Sequence, residues 1–195
     1  MRTTFRRSAV TVAVALGLST TWCVSASGVD RPKPSGADTI TAPAEMHKLD
    51  FLLGSWRCPT TVTAPGGPSE TSVVVGTIKP VLGGAWYQWD ALRLPNEQMP
   101  EKALSRWMIG GWNAASETFT ALYTDDRGTH GEESTEPGAA QDGHMKFTGE
   151  YSMPTGKFEF IDEFTKISDD HFRDTISAKK GDQFVPAGSV ECYRR

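Results

Sequence analysis

The chain has no Gly-x-Ser-x-Gly elbow, phosphate-binding loop, Cys-x-x-Cys pair or His-Glu-x-x-His helix, which excludes the easily recognised hydrolases, nucleotide enzymes and zinc sites. Its four histidines, His47, His130, His144 and His171, stand far apart without ligand spacing, so no metal is expected. It also lacks a Lys/Arg cluster, the electrostatic footprint of a nucleic-acid or anionic-membrane partner. No apolar run reaches the ~20 residues needed to span a bilayer. A second long helical pattern is missing too, which excludes βαβ units.

Arg2, Arg6 and Arg7 precede an apolar run from Ala9 to Leu18, and Val24-Ser25-Ala26 fits a small-residue cleavage site. Residues 1–26 are therefore expected to be an export signal. Arg6-Arg7 as a twin-arginine signal ranks second, because Ser8 and Ala9 are weakly apolar, and Trp22 disfavours lipid attachment at Cys23. Without the three leader arginines, 17 basic face 24 acidic residues, moving the formal charge from −4 to −7. No integral membrane segment is expected after signal removal, which points to a periplasmic or extracellular protein. Residues 27–42, rich in Pro, Ser, Gly and Asp, form an expected flexible lead-in, and 43–195 one domain.

Met46, Leu49, Leu52 and Leu53 follow Pro43 at helical spacing. A helix this short cannot stand alone in water, so it is expected to cover one end of whatever follows. Beyond it, turn signals recur roughly every 12 to 18 residues, from Gly66-Gly67 and Gly83-Gly84 to Lys180-Gly181-Asp182. Nine such turns imply about ten strands. Alternation is clearest over 157–167, where Phe158, Phe160 and Phe164 share one face and Glu159, Glu163 and Thr165 the other. Short sequential connections favour neighbours pairing in order, and closure removes the exposed edges. The expected fold is all-β, an up-and-down antiparallel barrel of about ten strands.

Two cysteines remain after the leader, Cys58 in the first strand and Cys192 in the last. A closed meander makes those strands neighbours, and outside the cytosol a disulfide between them would persist. The alternative is two separate buried thiols.

Leu53-Gly54-Ser55-Trp56 resembles the Gly-(Thr/Ser)-Trp start of calycin-type barrels. Gly111-Trp112-Asn113 with Phe119 resembles the Gly-Tyr-Asp turn of an uncharacterised bacterial secreted lipocalin-like domain family, and Cys192-Tyr193-Arg194 is similar to that family's ending. The resemblance covers about residues 46 to 194. It implies a barrel in which Trp56 packs across the floor, and it leaves the activity open. Nitrobindin-like and fatty-acid-binding barrels are distantly similar. Nitrobindin-like proteins hold heme through a histidine near the C-terminus, but Val185 to Tyr193 contains none, so neither heme nor another cofactor is expected.

A ten-stranded barrel is wider than the eight-stranded size that side chains alone can fill, so a cavity is expected. Trp86, Trp107 and Tyr123 are the candidates to line it, each an aromatic with a polar handle in a central strand. His130 and Glu132, with Asp125 and Tyr123 across the Asp126-Arg127-Gly128 turn, could form an acid-base group. The lack of apolar alternation around His130 favours a solvated polar hairpin instead. Asp162, between Phe160 and Phe164, is an acid on an apolar face and needs a partner or a place near the rim. A ligand-binding barrel for a small apolar or amphipathic molecule is the favoured function. A small enzyme of the same fold (isomerase, cyclase or hydrolase) is the alternative, followed by a protein-interaction or envelope module.

Overall fold

The computed structural model describes residues 41–63 and 67–195. The expected leader, 1–26, and nearly all of the lead-in, 27–42, lie outside the described residues. Ten strands follow a 3-10 helix, Ala44–Leu52. They are β1 (Gly54–Thr63), β2 (Ser69–Val81), β3 (Trp86–Arg93), β4 (Ala103–Asn113), β5 (Thr118–Asp125), β6 (His130–Thr135), β7 (His144–Met153), β8 (Gly156–Ser168), β9 (His171–Lys180) and β10 (Gln183–Arg194). Each pairs antiparallel with its sequence neighbours, and β10 closes on β1, giving the expected up-and-down barrel.

The closing strands carry the staple. Trp56 stands opposite Arg194, and two residues along Cys58 and Cys192 form a disulfide with their Cα atoms 4.1 Å apart. The expected bridge is thus present, and separate thiols are excluded.

The helix differs from expectation in its pitch. Met46, Leu49 and Leu52 recur every three residues, and three residues per turn puts them on one edge of a 3-10 helix, where all three are buried. They close one end of the barrel over Trp56, Ile109, Phe119, Met145 and Phe147. Trp56 is fully buried there, its indole Nε1 donating to Leu52 O at 2.7 Å. The Arg194 guanidinium stacks 4.4 Å over its ring and donates to Leu53 O, tying β10 to the helix end. Among the described residues no helix is long and apolar enough to cross a membrane.

Candidate ligand-binding lumen

Inward positions alternate along every strand, and their size changes from one end of the barrel to the other. Near the helix they are Trp56, Phe119, Phe147, Phe164 and Phe172, each at most 1% exposed. Toward the other end they become Thr60, Ser72, Val74, Ala91, Ala103 and Ser105. Small side chains on a wall of unchanged circumference leave space. The result is a cavity of about 380 Å³ opening at the end opposite the helix, within the ~300–1,000 Å³ range of small-molecule sites.

One side of this cavity is an aromatic panel. Trp107 on β4 and Tyr123 on β5 are direct cross-strand partners with ring centroids 5.2 Å apart, and both pack edge-on against Tyr151 of β7. Edge-to-face packing of this kind fixes ring positions and is worth ~0.5–1.5 kcal/mol per pair beyond burial. Two of the three expected lining aromatics therefore stand on the cavity wall. Trp86 does not: it lies one strand face away, its ring against Gly111, where any β-carbon would collide with it. Trp89, three residues on and so of opposite parity, takes the lumen position instead, its Nε1 buried and without a partner among the described residues. The indole rests on Gly76, which has no side chain to displace it.

The cavity floor is acidic. Asp162 of β8 and Asp174 of β9 line it, 2% and 4% exposed, and Glu133 of β6 lies behind them at 1%. Asp162 is thus deep rather than at the rim. Tyr151 Oη donates to its Oδ2 at 3.5 Å, Glu133 interacts with both Asp162 and Tyr151, and Asp174 Oδ1 has no hydrogen-bond partner among the described residues. Burial, and then the charge of Asp162, pushes the Glu133 and Asp174 carboxyl groups far above the usual range, and burial raises Asp162 as well. Each of the three is thus harder to ionise than an ordinary carboxyl group. Burial, reinforced by Asp162, also holds the Tyr151 phenol in its neutral form.

Glu133 corrects the expectation for β6. Its inward face, Gly131, Glu133 and Thr135, is polar yet buried, with Thr135 Oγ1 accepting from Phe119 N at 3.0 Å. The outward face of the same strand carries the solvated character that was expected: His130 is exposed, its Nδ1 3.2 Å from Gly128 O. The imagined group of His130, Glu132, Asp125 and Tyr123 does not assemble. His130 pairs across the ladder with Thr124 and Glu132 with Leu122, whereas Tyr123 and Asp125 point inward. Asp125 completes its own turn, Oδ1 accepting from Arg127 N and Thr129 N at 2.9 and 2.8 Å.

Fold and site together define a closed ten-stranded barrel with one plugged end and one open, partly polar lumen. The chain belongs to the DUF1579 family, a family of proteins of unknown function, whose model matches residues 42–185. Its fold is similar to that of Rv2717c from M. tuberculosis, with a TM-score of 0.59 at 10% identity over 79% of this chain and 99% of that one. No curated protein matches the sequence significantly.

Proposed function

We propose that this is an exported, lipocalin-like barrel that holds one small apolar or amphipathic molecule in its lumen. The observation that carries this reading is the 380 Å³ cavity, walled by Trp89, Trp107, Tyr123, Val74 and Ile176. A void of that size bordered by apolar surface costs stability unless something fills it. The Cys58–Cys192 disulfide supports an oxidising compartment. Titration with the neutral fluorophore N-phenyl-1-naphthylamine tests the reading. Its emission rises to a one-to-one endpoint, and Trp107→Ala weakens binding by about tenfold, equivalent to ~1.4 kcal/mol. No saturable binding overturns it.

One observation favours a second reading, an enzyme of the same fold. Asp162 and Asp174 face the lumen, and burial raises both above the usual carboxyl range, the direction a general acid requires. Turnover of an apolar substrate, abolished in Asp162→Asn with the fluorophore still bound, would put this reading first.

A further inference from the structure

Two arginines line the lumen: Arg127 on an exposed turn, and Arg93, whose terminal nitrogens are buried without a counterion among the described residues. Arg93, the last residue of β3, lies between Val74 of β2 and Ala103 of β4, and its side chain turns into the cavity. Its terminal nitrogens Nη1 and Nη2 are both buried, and neither has a hydrogen-bond partner among the described residues. Two arginines of the outer surface differ in this respect. Arg106 holds Asp90 at 2.6 Å and Arg173 holds Glu191 at 2.5 Å.

The two carboxylates nearest the mouth do not answer Arg93. Glu70 is exposed to water, and Asp125 spends its Oδ1 on two backbone N–H groups of its own turn. No hydrogen bond or ion pair joins the acids of the floor to Arg93 among the described residues, and burial disfavours their charged forms. Buried guanidinium nitrogens left unpaired are costly, and the planar pair of terminal nitrogens matches the two oxygens of a carboxylate. An inorganic anion would satisfy Arg93 but leave the apolar wall of Val74, Met99, Trp107 and Ile176 empty.

We infer that the occupant of this lumen is an organic acid, its carboxylate held by Arg93 near the mouth and its apolar body lying along Trp89 and Trp107 toward the floor. This inference rests on the ligand-binding reading above and names the chemical class of the ligand.

The test displaces N-phenyl-1-naphthylamine, which is neutral and reports the lumen without needing Arg93. Decanoate and decan-1-ol compete with it at about pH 8, where the acid is fully ionised. Decanol is the more apolar of the two, so a lumen that sorts by hydrophobicity alone prefers it. Decanoate is expected to displace the probe at a concentration at least about tenfold lower than decanol. In Arg93→Gln that preference disappears, while probe and decanol bind as before. Arg93→Lys keeps part of it, because a point charge replaces the two-pronged donor. A probe that binds while decanoate is no better than decanol overturns the anion site and leaves the lumen reading standing. Preference that survives in Arg93→Gln overturns it as well. A probe that fails to bind at all removes the lumen reading and this inference with it.

Discussion

At the plugged end, the helix and five large aromatic side chains leave no space, and the only polar group required of Trp56 finds a backbone carbonyl. At the open end, equivalent inward positions are small, the cavity persists, and Trp89 Nε1, both Arg93 terminal nitrogens and Asp174 Oδ1 have no hydrogen-bond partner among the described residues. One sheet runs through both, so the difference lies in side chains alone. A protein under selection only to fold would satisfy or remove those polar atoms, since each buried unpaired group costs ~1–3 kcal/mol. The plugged half is thus where stability is made, and the open half is where it is given up for a ligand.

The strongest way to break this comparison is to empty the plugged half. Trp56→Ala removes the largest fully buried side chain and is expected to lower unfolding free energy by about 4 kcal/mol in a urea titration. Trp107→Ala, at the cavity wall, should lower it far less. Equal losses at the two positions would erase the distinction. The disulfide, which joins the strands at the plugged end across 134 residues of chain, comes next. Replacing both cysteines by alanine should cost about 3 kcal/mol and leave affinity for the neutral fluorophore unchanged.

The open half also predicts a pH dependence of definite sign. Burial raises the Asp162, Asp174 and Glu133 carboxyl groups above their unfolded-chain values of about 4, so the folded barrel keeps protons that the unfolded chain releases first. Folding therefore takes up protons, so the contribution is complete at acid pH and is lost as pH rises through the raised folded-state values. Stability should fall from about pH 5 to pH 8, by up to ~1.4 kcal/mol per pH unit for each proton taken up. Asp174→Asn, which stays neutral, should flatten the slope. A barrel that grows more stable over this range contradicts the buried-acid description.

Architecture was legible in the sequence because its signals are local. Glycine and Asp/Asn turns mark the strand ends, one cysteine lies in each closing strand, and Met46, Leu49 and Leu52 announce the plug by spacing. The site was legible only where a single strand carried the signal. Trp107 and Tyr123 lie on strands with clean alternation, but β3 has aromatics of both parities, and the choice of Trp89 over Trp86 depends on Gly76 and Gly111 of neighbouring strands. Asp162 stood out among phenylalanines. Asp174, between Phe172 and Ile176, carries the same pattern, whereas Glu133 lies in a strand whose inward face has no apolar residue at all. Arg93 looks like any charged strand end until its neighbours are known.

The smallest expected effect sharpens the comparison from outside. His130→Ala, on the exposed face of β6, should change stability by no more than ~0.5 kcal/mol and leave probe binding intact. A large effect on either would return this residue to the site.

The most direct test is to fill the lumen. Ser105 lines the cavity on β4, and Ser105→Phe projects a ring into the space a ligand would occupy. Titration with N-phenyl-1-naphthylamine should then show no saturable binding, at an unfolding midpoint equal to or above that of the unaltered protein. Undiminished binding in the folded Ser105→Phe variant would contradict the claim that the open lumen is the binding site.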